Sequence, residues 1–222
     1  MKTASFLVVL AMSPLASAAT IVVGFNPGAN TNSATSLTAD GSHSITYNVL
    51  ESNTLSNLSD VTGASTGISA TSGTPFVNFG HGGGTAAVTG PVAAIFPSAV
   101  TQGSYWWFVP YSITFNGLDN GSAYNFDILG TITDPNQTNN ITSYTVAGTT
   151  SQSGQLNVVA NANQLATFTN IVPSSGTITL TVAPVAGLSF LNAVQITSVV
   201  PEPASLGLLA SLGLLGMTRR RR

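Results

Sequence analysis

The chain has 222 residues, of which 5 are lysine or arginine and 7 are aspartate or glutamate, for a formal net charge of −2. The cations sit at the two extremes, Lys2 and Arg219 to Arg222, so residues 19–200 carry six acids, no lysine or arginine, and a side-chain charge of −6. Such a segment lacks the groups that neutralise phosphates, which excludes nucleic acid and anionic lipid as side-chain partners, and the absence of cysteine removes disulfides and thiolate metal sites.

Lys2, the apolar stretch Phe6 to Met12, Pro14 and the run Ala16-Ser17-Ala18 follow the order of a secretory signal peptide: basic start, apolar middle, Ala-x-Ala site. Residues 1–18 are therefore expected to be removed after Ala18, with Ala19 as the neighbouring alternative. Residues 19–198 are long enough to bury a single core without a covalent staple.

That middle segment reads as an all-β domain. Ile45, Tyr47 and Val49 alternate with Ser44, Thr46 and Asn48, placing the second set on a watery face. The same period of two recurs at Tyr111, Ile113 and Phe115, at Tyr124, Phe126 and Ile128, at Tyr144 and Val146, at Leu156 and Val158, at Ile178, Leu180 and Val182, and at Val194 and Ile196. Period two describes strands with one apolar face. Turn signals separate them, among them Asp40-Gly41, Asn116-Gly117, Asp119-Asn120-Gly121, Asp134-Pro135-Asn136 and Pro173-Ser174-Ser175-Gly176. No helical period is evident between Thr20 and Ser198, and no repeat suggests a propeller or solenoid. The expected fold is a single β-sandwich or barrel.

Candidate functional residues are few. Tyr105-Trp106-Trp107-Phe108 is the densest aromatic cluster. Neighbouring strand residues face opposite ways, so Trp106 and Trp107 are expected to divide, one toward the core and one outward. Two roles follow: packing in the core or along an edge, the common one for aromatics, or stacking of the outer ring on the apolar face of a sugar. His43 shares parity with Ile45 and is expected on the inner face. His81 lies in Gly80-His81-Gly82-Gly83-Gly84, a surface turn that resembles hydrolase oxyanion segments but has no Gly-x-Ser-x-Gly elbow beside it. Asp40, Asp119 and Asp134 occupy turns, where a carboxylate hydrogen-bonds the local backbone, and Asp127 falls on the polar side of a strand. No catalytic set emerges. Calcium is the one cofactor left open, since scattered carboxylates suit a hard cation even without an Asp-x-Asp-x-Asp run.

Two resemblances add to this. Ile113-Thr114-Phe115-Asn116-Gly117-Leu118, then Tyr124-Asn125-Phe126-Asp127-Ile128, then Phe190-Leu191-Asn192-Ala193-Val194-Gln195-Ile196 are similar to strands of galactose-binding-like jelly rolls in extracellular proteins. The resemblance implies a jelly roll and, more weakly, sugar binding, because one fold hosts many functions.

The chain closes with Val199-Val200-Pro201-Glu202-Pro203, an apolar run from Ala204 to Met217, Thr218, and Arg219, Arg220, Arg221 and Arg222. At 1.5 Å per residue the run spans roughly 21 Å, short of a hydrocarbon core of about 30 Å. The upstream valines, snorkelling arginines and local thinning of the bilayer close the gap. The basic cluster holds the end in the cytoplasm and leaves everything before it outside. Residues 199–222 resemble the PEP-CTERM sorting signal of Gram-negative bacteria. The resemblance implies a transient inner-membrane anchor, an exosortase-type membrane enzyme acting at Pro201, Glu202 and Pro203, and delivery to the outer surface or extracellular matrix, often beside exopolysaccharide.

The expectation is an exported, non-catalytic surface or matrix protein, structural, adhesive or exopolysaccharide-associated, that touches membrane only through its tail. The competing classes are a secreted glycosidase or esterase using His81 and one or two acids, and a passive coat protein without a specific ligand.

Overall fold

The computed structural model describes residues 18–25, 31–37, 44–50, 52–73, 80–81 and 86–199. Ala16, Asp40, His43, Glu51, the motif Pro201 to Pro203 and Arg219 to Arg222 lie outside the described residues. Among the described residues, no helix is long and apolar enough to cross a membrane.

In chain order the elements are β1 (Thr20–Gly24), β2 (Thr31–Leu37), β3 (Ser44–Val49), β4 (Thr54–Leu55), β5 (Ser69–Ser72), β6 (Gly80–His81), α1 (Gly90–Ile95), α2 (Ser98–Thr101), β7 (Tyr105–Trp107) and β8 (Tyr111–Asn116). They continue with β9 (Ala123–Leu129), β10 (Ile141–Ala147), β11 (Ser151–Asn157), β12 (Ala166–Ile171), β13 (Thr177–Ala186), β14 (Ser189–Leu191) and β15 (Ala193–Val199). Sheet one runs β12-β9-β15-β1-β3-β2, sheet two runs β11-β10-β13-β8-β5-β4, and a small third sheet runs β14-β7-β6. Pairing is antiparallel except between β1 and β3. The two large sheets form the expected all-β sandwich.

Alternation builds the interface between them. Tyr111, Ile113 and Phe115 of β8, Tyr144 and Val146 of β10, and Ile178, Leu180 and Val182 of β13 are buried, while their neighbours are half-buried. They meet Ile21, Val23, Phe126, Ile128, Val194 and Ile196 from sheet one in one apolar cluster. Phe115 and Phe126 touch across it, ring centroids 5.8 Å apart and tilted by 57°. Each such side chain contributes about 1.5–3 kcal/mol by leaving water.

Three features depart from the sequence expectations. First, sheet one is also buried on part of its outer face, around β1, β3 and the ends of β9 and β15. Val22, Ile45, Leu129 and Ala193 pack there against Val92 and Phe96 from α1 and its C-terminal end, and against Val100 of α2. A Cβ on Gly24 would come within 3.1 Å of Val100 Cγ1 and of its carbonyl oxygen, so α2 seats directly on the end of β1. Second, those helices exist at all; at six and four residues they are too short to show a period of 3.6 in sequence. Third, Thr46 and Asn48 do not face water. Asn48 is fully buried, donates from Nδ2 to the carbonyls of Val22 (3.0 Å) and Ser59 (2.8 Å), and accepts the Ser59 N–H at 2.9 Å. The segment 58–64 runs beside β1 and β3: the Thr46 N–H donates to the Val61 carbonyl at 3.0 Å, the Val61 N–H donates to the Thr20 carbonyl at 2.8 Å, and Leu58 joins the inner core. A buried amide satisfied in this way holds that segment in one register.

Candidate functional site

The aromatic cluster forms β7, the central strand of the third sheet. Phe190 lies opposite Trp106 and Ser189 opposite Trp107 on one side; Gly80 lies opposite Trp106 and His81 opposite Tyr105 on the other. Tyr105 is fully buried. Its hydroxyl donates to the Leu50 carbonyl, and its ring meets Phe25 edge-on at 5.3 Å. The partner strand β14 is held to sheet two by Tyr144 Oη donating to the Phe190 carbonyl (2.6 Å) and the Phe190 N–H donating to Thr142 Oγ1 (3.1 Å). Ser189 Oγ donates to the Trp107 carbonyl at 3.0 Å. Burial and neighbouring tyrosines push the Tyr111 hydroxyl well above its ordinary pKa, and burial does the same to Tyr144, so both stay neutral donors.

Trp106 and Trp107 do not divide between inside and outside. Both are half-buried and pack against the main core. Burial here falls with distance along the strand, from Tyr105 through the two tryptophans to Phe108, because the chain leaves the core end-on. The exposed aromatic is Phe108, 62% exposed, followed by Val109 at 42%. Trp107 and Phe108 lie with ring centroids 4.5 Å apart and planes inclined by 33°. β13 pairs Val182 with Tyr111 and carries Val185, 52% exposed, three residues further on at the same end of sheet two. Phe108, Val109 and Val185 are the large apolar side chains that the described surface exposes. The sequence signal for Phe108 was Val109-Pro110: a residue before proline is driven to extended backbone, and the chain bends out before β8.

A second concavity, of about 310 Å³, is lined by Asn157, Ala160, Asn161, Asn163 and Gln164. Asn161 Nδ2 donates to the carbonyls of Gly130 and Gln164, both at 3.0 Å, and its Oδ1 accepts the Gln164 N–H at 3.0 Å. That amide is committed to shaping the loop.

The carboxylates of a hydrolytic reading are engaged locally. Gly80 and His81 form the short strand β6 instead of a free turn. Asp119 accepts from the Gly121 N–H (3.0 Å) and Ser122 Oγ (2.8 Å), which hold its carboxyl below the ordinary value. At Asp60, slight burial raises the pKa, but bonds from the Thr62 hydroxyl and the Ala64 and Thr62 N–H groups outweigh it and lower it. Asp134 accepts from Asn136 at 2.8 and 3.1 Å, and Asp127 accepts from Thr167 Oγ1 at 2.7 Å across the β9–β12 pair. Each described carboxylate serves its own turn or strand. Among the described residues, no three His, Cys, Asp or Glu side chains gather where they could hold a metal.

Residues 199–222 match the PEP-CTERM protein-sorting motif, which marks an exported protein handled by an exosortase. Among solved structures the chain is similar to TmCBM61, determined in complex with beta-1,4-galactotriose, at 14% identity and a TM-score of 0.29 over 42% of this chain and 68% of that one. The overlap is partial, and no residue role passes through it. No curated protein matches the chain.

Proposed function

We propose that this is a non-catalytic surface or extracellular-matrix protein whose sandwich associates with neutral exopolysaccharide through the Trp107–Phe108 corner. In this reading residues 1–18 are a signal peptide, residues 19–198 the working domain and residues 199–222 the sorting tail. The observation that carries it is Phe108, exposed beside Trp107 at 4.5 Å in a segment with no lysine or arginine. An apolar ring pair in a segment without cations suits the C–H face of an uncharged sugar, and the Asn, Ser and Thr in which the domain is rich offer hydrogen bonds without ionic attraction. Large exposed apolar side chains grouped at one end of a fold mark an interaction site more often than chance scatter.

The test is retention on immobilised neutral polysaccharides, comparing the exported protein with Phe108→Ala and Trp107→Ala. Each variant is expected to lose about tenfold in affinity, about 1.4 kcal/mol, with unchanged strand content by circular dichroism. Equal retention of folded variants would remove the corner from the reading.

A further inference from the structure

The sorting motif has no linker in front of it. Val199 is both the last residue of β15 and the first residue of the motif match. Pro201 follows two residues later, so at most about 7 Å of extended chain separates it from the edge of the folded sandwich. β15 is an interior strand: it pairs with β9 up to Val199↔Ala123 and with β1 up to Thr20↔Thr197. Beyond that register Ala19 and Ser198 are tied three ways. The Ala19 N–H donates to Ser198 Oγ at 2.8 Å, the Ser198 N–H donates to the Ala19 carbonyl at 2.9 Å, and Ser198 Oγ approaches the same carbonyl at 3.4 Å.

An enzyme that acts on a peptide bond holds several residues on each side of it as extended chain, usually by pairing its own backbone with theirs. Val200 alone stands between Pro201 and Thr197, Ser198 and Val199, whose backbones are already paired with β1 and β9. Resting on the sorting function proposed above, we infer that the PEP motif is processed only when the end of β15 leaves the sheet, so that the Ala19–Ser198 closure sets the rate at which the tail is removed. When opening and reclosing are fast, cleavage follows the population of the open form. The fold then acts as a timer: a domain with β1 in place holds its tail longer than one in which β1 has not docked.

Three variants of the full chain, expressed in a host that sorts it and followed by pulse–chase and intact mass, test this. A six-residue Gly-Ser spacer between Val200 and Pro201 leaves β15 intact and frees the motif; tail removal should accelerate about fivefold or more. Ser198→Ala removes the hydroxyl that closes on Ala19 and should accelerate it by about two- to tenfold, the change one hydrogen bond makes in an opening equilibrium. Thr20→Cys with Thr197→Cys places two thiols where the wild-type hydroxyls lie 3.5 Å apart. In a chain that has no other cysteine, the resulting disulfide should stall removal until a reductant is added. A spacer variant processed at the wild-type rate, or an oxidised cysteine pair that is not slowed, overturns the inference while leaving sorting in place. A wild-type chain that never loses residues beyond Pro203 overturns the sorting function and this inference with it.

Discussion

The two large sheets have similar strand counts and opposite surroundings. Sheet two keeps one face in water: Thr114 and Thr179 lie side by side there with hydroxyls 3.3 Å apart, and Thr145 meets Ser153 at 2.8 Å. Around β1 and β3, sheet one is covered twice, inside by sheet two and outside by α1 and α2. The difference shows in the strands themselves. β8 and β13 alternate, whereas Ile21, Val22 and Val23 of β1 are buried in succession, the pattern of a strand with no watery face. Solvent, more than the strand's own preference, writes the alternation.

If the outer cover is a second core, Phe96→Ala should destabilise the protein as much as Phe115→Ala, about 4 kcal/mol each, because both rings are fully buried and each truncation leaves a ring-sized cavity. Chemical denaturation measures both. A cost below about 1 kcal/mol for Phe96→Ala would break the comparison, showing α1 to be a loose strap over sheet one.

The next effect separates two polar residues that look alike in sequence. Asn48→Ala removes three buried hydrogen bonds and strands the Ser59 and Val22 groups they satisfied, at a cost of about 3 kcal/mol. Thr114→Ala, on the open face of sheet two, should stay within about 0.5 kcal/mol. Parity alone puts both on a watery face. What distinguishes them is the chain at 58–64, which runs back beside β1 and β3 and closes on Asn48 through Ser59.

This marks where the sequence was legible. β8, β9, β10, β13 and β15 were readable because one side of each meets water, and the turns at Asn116-Gly117 and Pro173 to Gly176 because positive φ at Gly117 and Gly176 favours glycine there. The sorting tail was readable because its order of proline, apolar run and arginines is local. The outer cover of β1 and β3 was not, since it comes from residues 90–101, far along the chain. The aromatic corner was half legible. Composition pointed to residues 105–108, but face parity chose the tryptophans, whereas depth along an emerging strand exposes Phe108.

Acid should loosen the 58–64 segment before the rest of the sandwich. Asp60 ties the 58–64 segment through Thr62 and Ala64, and these bonds lower its pKa in the folded state. The stabilisation they bring is therefore complete above the unfolded carboxylate pKa and is lost as pH falls through the folded one. Asp60→Asn should be less stable than wild type near neutrality, and the gap should close below the ordinary carboxylate range. A gap that persists at low pH would assign the bonds to geometry instead of charge. Amide exchange at Thr62 and Ala64 across a pH series reads this directly.

The smallest expected effect on stability belongs to the proposed site. Phe108 makes its ring contact with Trp107 but leaves most of its surface in water, so Phe108→Ser should change unfolding free energy by no more than about 0.5 kcal/mol. Tyr105, three residues earlier, is fully buried with its hydroxyl on the Leu50 carbonyl, and Tyr105→Ala should cost about 3–5 kcal/mol. A residue that folding can spare yet leaves a large apolar face exposed is placed for something outside the chain. If Phe108→Ser destabilised the sandwich as Tyr105→Ala does, the ring would belong to the core, and polysaccharide association would lose the side chain it rests on.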